Sequence, residues 1–322
     1  MEWLYITLGV LAALFVFILA ALYFMALYVK PKRLRIPLTL PDERLQKRMK
    51  DADLAHTMEL TRQIIDMPHE KIELRSFDGL RLAGRLMMQD PEAPLCILCH
   101  GYRGHAAADF RGIFQQVRGL GYSVLLINER AHWESDGSTI TLGLREKRDV
   151  ADWAKYAAER FPGKPIALYG VSMGAATVLS TTSMDLPESV RCIVADCGFS
   201  TPRGIVRFVL GQIKLSFLYP LVYLALRIFG RVDLNDPGAL AAVKQSKLPI
   251  LFIHGEKDTF VPCDMSREMF EAANCEKQLF TFPNATHLHS CLLNEEQYLA
   301  AIAPFLAKHL GGTGAESCTQ DA

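Results

Sequence analysis

Apolar and polar positions alternate along this chain in a rhythm that changes with position. Residues 3–29 carry no charged side chain at all. From about residue 69 onward, short apolar runs of strand length take turns with longer segments whose apolar positions recur at helical spacing. The runs predict strands over His69–Phe77, Leu80–Met88, Leu95–His100, Ser123–Asn128, Pro165–Gly170, Cys192–Asp196, Ile250–His254 and Gln278–Phe282. The intervening segments predict helices over Ala107–Gly119, Leu144–Glu159, Met173–Thr182, Pro237–Ser246, Asp264–Ala273 and Glu295–Leu310. Asp78-Gly79 is a turn between the first two strands, and strand and helix then follow one another in order. That order predicts a hairpin leading into a mostly parallel eight-stranded sheet flanked by helices, an α/β fold.

Residues 199–235 break the rhythm, with long apolar stretches and isolated Arg203, Arg207, Lys214, Arg227 and Arg231. The uncharged core from Leu215 to Leu226 contains Pro220 and is shorter than the ~20 residues a membrane crossing needs. Placed after the sixth strand, the segment reads as an apolar helical lid over the site, or as a helix dipping into a membrane face.

The opening run exceeds ~20 apolar residues and reads as a transmembrane helix. A secretory signal would begin basic and end at a small-residue cleavage site. Here the run starts at Glu2 and continues unbroken to Lys30, Lys32, Arg33 and Arg35. The positive-inside rule puts that cluster and the domain behind it on the cytoplasmic side of the cell membrane, with Trp3, Tyr5, Tyr23 and Tyr28 as interfacial anchors. The expected organisation is a transmembrane helix over residues 3–29, then a basic juxtamembrane segment and linker helix over 30–67. The α/β domain follows over 68–310, with its insertion at 199–235, and a flexible tail occupies 311–322.

Composition narrows the function. Acidic and basic residues balance at 35 each and no basic run interleaved with aromatics occurs, which argues against a nucleic-acid partner. Eight cysteines are scattered, several inside apolar runs. Cys96-Ile97-Leu98-Cys99 has metal-site spacing but sits in a strand pattern without a second pair, so neither a metal nor a cofactor is expected.

The chemistry concentrates in Gly170-Val171-Ser172-Met173-Gly174, where an apolar strand meets a small-residue helix. A turn that tight strains the serine backbone and leaves no room for side chains at Gly170 or Gly174, which would expose Ser172 as a nucleophile. A serine hydroxyl needs a base, and the base needs a carboxylate. Both follow in chain order. Asp258 lies just past the apolar strand that ends in His254-Gly255, with Glu256 and Asp196 as weaker carboxylates. His287 is the chosen base over His289 in Ala285-Thr286-His287-Leu288-His289. Two main-chain N–H groups should receive the developing oxyanion: that of Met173, and that of Tyr102 in Cys99-His100-Gly101-Tyr102-Arg103-Gly104.

These motifs resemble the α/β-hydrolase superfamily over roughly residues 70–309. More narrowly they resemble its membrane-anchored serine hydrolases, with an H-G loop, a G-x-S-M-G elbow, H-G-x-x-D-x-x-V-P and A-x-H. The resemblance supports His287 at the A-x-H position. The segment from Leu125 to Ser135 is similar to the branch's D-x-R-x-x-G-x-S, departing from it at the acidic position and, with Trp133, at its glycine. Trp133, which adds apolar surface where the pattern has none, is a candidate substrate contact, and Phe199, at the start of the insertion, is a second. The resemblance implies a serine esterase of the carboxylesterase or lipase type, acting through an acyl-enzyme on an apolar, lipid-like or small-molecule ester. Amidase, peptidase, thioesterase or haloperoxidase chemistry on the same residues, or a non-catalytic tethered binding protein, remain open alternatives.

Overall fold

The computed structural model describes residues 1–29 and 51–311. The basic residues Lys30, Lys32, Arg33 and Arg35, and the tail from 312 on, lie outside the described residues.

Eight strands form one sheet: β1 (Glu70–Arg75), β2 (Arg81–Met87), β3 (Leu95–Cys99), β4 (Ser123–Ile127), β5 (Ile166–Val171), β6 (Val190–Asp196), β7 (Ile250–Gly255) and β8 (Lys277–Phe282). Their order across the sheet is β1-β2-β4-β3-β5-β6-β7-β8. β2 runs antiparallel to β1 and to β4, and every other neighbouring pair is parallel. The hairpin forms at the expected turn, where Gly79 takes a φ of 87° and the Ser76 N–H donates to the Leu80 carbonyl at 2.9 Å. β3, β4, β5 and β7 are buried along their whole length, because helices cover both faces and leave no polar side to alternate with.

Among the described residues the α-helices are α1 (Glu2–Ala26), α2 (Asp51–Asp66), α3 (Ala106–Asp109), α4 (Arg111–Gly119), α5 (Glu146–Arg160), α6 (Met173–Thr181), α7 (Pro202–Gln212), α8 (Tyr219–Ala225), α9 (Gly238–Gln245), α10 (Cys263–Ala272), α11 (Ser290–Leu293) and α12 (Glu295–Leu310). One face of the sheet packs against α2, α3, α4 and α12 through Ile64, Phe110, Phe114, Tyr298 and Phe305. The other packs against α5, α6, α9 and α10 through Trp153, Val178, Val243 and Met269. Cys96 belongs to the first core and Cys99 to the second, since strand residues three apart point to opposite faces. They cannot share a metal.

Two expected helices differ in extent. The segment expected as one helix over 107–119 is interrupted at Phe110, whose side chain is completely buried and whose backbone (φ −99°, ψ 10°) leaves the helix to put it there. The apolar helix ends at Ala26 instead of running to residue 29. Beyond it the chain pairs with the loop at 138–140: the Val29 N–H donates to the Ser138 carbonyl at 2.8 Å and the Ile140 N–H to the Leu27 carbonyl at 3.0 Å. Leu27 and Val29 are buried there, so tertiary contacts override the helical continuation.

The insertion between β6 and β7 is helical and contains no strand. It runs through α7, a 3-10 turn (Ser216–Leu218), α8 and a π turn (Leu226–Gly230). Pro220 sits in the first turn of α8, where its missing N–H has no intrahelical partner to lose. Its inner side forms a third apolar cluster that joins Phe199, Ile205, Val222 and Leu226 to Met173 and to Tyr23 and Leu27 at the end of α1.

Candidate active site

Ser172 stands between β5 and α6 with φ 55° and ψ −118°, a conformation that side chains other than glycine rarely adopt. The surroundings over-determine it. A Cβ on Gly170 would lie 2.2 Å from the Gly174 carbonyl oxygen, and one on Gly174 would lie 1.9 Å from that of Cys99. The Ser172 N–H donates to the Asp196 carbonyl at 2.8 Å, locking the turn to the end of β6.

The structure brings Ser172, His287 and Asp258 together. The Ser172 hydroxyl donates to Nε2 of His287 at 2.9 Å, and Nδ1–H of His287 donates to Oδ2 of Asp258 at 2.6 Å. The other carboxylate oxygen of Asp258 accepts from the N–H groups of Phe260 and Val261 at 2.8 and 2.9 Å. Burial alone would raise the Asp258 carboxyl. Hydrogen bonds with His254 and His287 outweigh it and hold the group well below the usual carboxylate range. A glycine makes this approach possible, because a Cβ on Gly255 would stand 2.5 Å from the carbonyl oxygen of Ala285, two residues before His287.

The weaker candidates are engaged elsewhere. His289 donates from Nδ1 to the His287 carbonyl at 2.6 Å. Glu256 bonds Thr281 and Arg267. Asp196 is buried beneath the elbow and accepts from the Tyr298 hydroxyl at 2.8 Å. Burial raises its carboxyl to about 6 against the opposing pull of Tyr298.

The loop after β3 crosses directly over the serine, a Cβ on Gly101 lying only 3.1 Å from that of Ser172. The N–H groups of Tyr102 and Met173 have no acceptor among the described residues. Four further groups hold this loop. Asp109 accepts from the Gly101 N–H at 2.8 Å. His100 donates from Nδ1 to the Gly101 carbonyl at 2.9 Å and accepts at Nε2 from the Glu129 N–H at 3.1 Å. His132 accepts from the Arg103 N–H at 3.0 Å, and the Tyr102 hydroxyl donates to the Ala26 carbonyl of α1. Burial pushes His105 and His132 down to about 3 and lowers His100, so these rings stay neutral at ordinary pH. They are scaffolding for the loop.

Trp133 stacks edge-on against His105 with centroids 4.2 Å apart. Its φ is 48°, so the bulky side chain stands at a position whose backbone favours glycine. Phe199 is 4% exposed and packs in the apolar cluster under the insertion, beside Met173. Sequence reasoning missed Phe260, whose ring lies 5.0 Å from that of His287 and is 45% exposed. It also missed Asp109 and His254. His254 donates from Nε2 to the Val261 carbonyl at 2.9 Å, with Asp258 Oδ2 3.4 Å from the same nitrogen. Only the pairing of H-G with a downstream aspartate hinted at that role. For metal binding, the thiol of Cys197 lies with donor atoms of Asp258 and His287 in a group within 4.8 Å of one another. Those two are already hydrogen-bonded to each other, and burial pushes the thiol well up, which keeps it protonated.

A mostly parallel sheet with a strained serine at the strand-to-helix turn, bonded through histidine to a carboxylate from a later strand, defines the class of α/β-fold hydrolases. The chain matches the family described as alpha/beta hydrolase fold over residues 94–219 and the dienelactone hydrolase family over residues 215–304. It belongs to the alpha/beta hydrolase superfamily. Among curated relatives, protein bem46 of Schizosaccharomyces pombe is 27% identical over 76% of this chain and 78% of its own length. An uncharacterized membrane protein of Saccharomyces cerevisiae is 26% identical over 74% of this chain and 80% of its own. Among solved structures, an esterase of Pyrococcus furiosus superposes with a TM-score of 0.62 at 23% identity, covering 77% of this chain and 94% of that one. That likeness is one of fold.

Proposed function

We propose that the chain is a membrane-tethered serine hydrolase that cleaves carboxylic esters through an acyl-enzyme, on substrates with an apolar acyl part. The observation that carries this reading is the continuous line of hydrogen bonds from Ser172 through His287 to Asp258, at 2.9 and 2.6 Å, with the serine strained into the turn.

In this reading His287 Nε2 takes the Ser172 proton as Oγ attacks the carbonyl carbon. The N–H groups of Tyr102 and Met173 receive the oxyanion. Asp258 keeps Nδ1 protonated and stabilises the imidazolium. Collapse of the tetrahedral adduct expels the alcohol, which takes the proton back from His287. A water activated by the same histidine then attacks the acyl-serine, releases the acid and restores Ser172. Trp133 and Phe260 flank the site as apolar contacts for the acyl part, and Phe199 supports it from beneath. No cofactor enters these steps.

Tethering is supported by α1, a 25-residue helix in which an 18-residue stretch has a mean hydropathy of 2.6, and by the description of the yeast relative as a membrane protein. The cytoplasmic orientation rests on Lys30, Lys32, Arg33 and Arg35 and the positive-inside rule.

Labelling with a fluorophosphonate probe tests the reading. The full chain should react at one site, and Ser172→Ala should abolish the reaction. Equal behaviour of both folded proteins would sink it in favour of a binding protein that kept the fold.

A further inference from the structure

We infer that the outer face of the insertion, from α7 to the π turn, is a membrane-docking surface that sits in the lipid headgroup and upper acyl region beside α1. The inference rests on the reading of α1 as a membrane-spanning helix.

The length of α1 carries the argument. Residues 3–18 are exposed throughout, whereas Leu19 and Tyr23 are buried against the rest of the protein. The exposed stretch is about 24 Å long at ~1.5 Å per residue. The hydrocarbon core of a bilayer is ~30 Å thick, and any tilt of the helix makes the shortfall larger. The next turn, residues 19–22, must therefore also lie at hydrocarbon depth. That part of α1 is the part the insertion covers: Leu22 and Tyr23 pack in the cluster with Val222 and Leu226, and the Tyr23 ring stacks on Phe229 with centroids 6.0 Å apart. Whatever covers α1 at that depth must itself enter the membrane surface.

The outer face of the insertion is built for that position. Ile213, Phe217, Ile228 and Phe229 are exposed there, Phe217 at 74%. Isolated exposed apolar residues are ordinary, but these lie on consecutive elements beside an apolar helix that has its own exposed surface. The cations Arg203, Arg207, Lys214 and Arg231 stand among them, Arg227 is paired with Asp233 at 3.2 Å at the end of the insertion, and between residues 199 and 232 there is no Asp or Glu. Apolar side chains interleaved with an excess of cations is the composition that suits an anionic lipid surface. Arg207 stacks over Tyr219 at 4.6 Å, at the edge of a groove of about 430 Å³ that Phe217 and Pro220 also line, which places a fixed cation where a headgroup phosphate would meet it.

The test uses the full chain reconstituted in phosphatidylcholine vesicles containing phosphatidylserine. Phe217→Trp adds a reporter to the insertion, and Phe280→Trp, on the β8 edge, serves as the water-facing control. Added Phe217→Trp emission should be quenched several-fold more by lipid brominated at the upper acyl carbons than by aqueous acrylamide, with the control showing the reverse. If the chain resists extraction by alkaline carbonate but both reporters respond alike to acrylamide, the docking surface is overturned and α1 stands. If carbonate strips the chain from the vesicles, the spanning helix fails and the inference fails with it. Quenching by neither agent would show the face covered by protein, a second copy or another partner, and would overturn it too.

Discussion

The guanidinium of Arg103 donates through Nη2 to the carbonyl oxygens of Met25 and Tyr28, at 2.9 and 3.1 Å. Met25 is in the last turn of the apolar helix, and Arg103 follows the residue proposed to supply an oxyanion donor. A cation at a helix C-terminus satisfies carbonyls that have no intrahelical partner. Here it also ties the active-site loop to the proposed membrane anchor.

Arg103→Gln should therefore act on turnover. We expect kcat for p-nitrophenyl acetate to fall about tenfold with KM nearly unchanged, since a small misplacement of an oxyanion donor weakens transition-state binding more than substrate binding. Steady-state kinetics at two ester concentrations ranges would show it, and an unchanged kcat would remove the loop from the anchor's influence.

The two histidines of the doublet should separate cleanly. His287→Ala should lower ester turnover by at least about a thousandfold, while His289→Ala, which removes a bond to the His287 carbonyl, should leave it within about tenfold. Parallel measurement of both variants against wild type decides it.

Asp258→Asn tests the carboxylate without altering its shape. With the charge gone, Nδ1 of His287 loses its reason to hold the proton, and turnover should drop by about 10⁴-fold, as wrong-tautomer variants of such triads do. Fluorophosphonate labelling should slow in proportion.

The elbow glycines should be intolerant. Gly174→Ala places a methyl group 1.9 Å from the Cys99 carbonyl oxygen and should destabilise the protein by at least about 3 kcal/mol. Gly119→Ala, in a helix with nothing within 4 Å, should be neutral or slightly stabilising. Thermal unfolding of the pair provides the comparison.

Asp196 should make stability depend on pH. An unfolded aspartate titrates near ~3.9, whereas burial lifts Asp196 to about 6 in the fold despite the Tyr298 bond. Between those values the folded chain holds more protons, so stability is complete below the unfolded value and declines as pH rises through the folded one. Asp196→Asn should flatten part of that decline, gaining stability relative to wild type at pH 7 compared with pH 4, as read by denaturant titration at both.

The inner strands β3, β4, β5 and β7 were legible because burial on both faces makes each a short unbroken apolar run, whereas the half-exposed edge strands β1 and β8 showed through alternation and the turns that bound them. Ser172, Asp258 and His287 were legible for a different reason: each follows a strand end, and glycines mark where the backbone must come close. Phe260, Asp109 and His254 were not. Their roles depend on which loops meet, and a phenylalanine two residues past an aspartate carries no sign of the ring it will face.

By itself the amino-acid order determined the sheet, the strained turn and the apolar N-terminal helix, since these follow from periodicity, steric size and length within one segment. The end of that helix is different. Local hydrophobicity runs on to residue 29, yet the chain leaves the helix after Ala26, because buried Leu27 and Val29 and the loop at 138–140 offer better partners than another turn. Only the tertiary structure decided that the helix docks on the insertion and on the loop over Ser172, for contacts such as Tyr23 with Phe229, or Ala26 with Tyr102 76 residues away, have no signature in either segment alone.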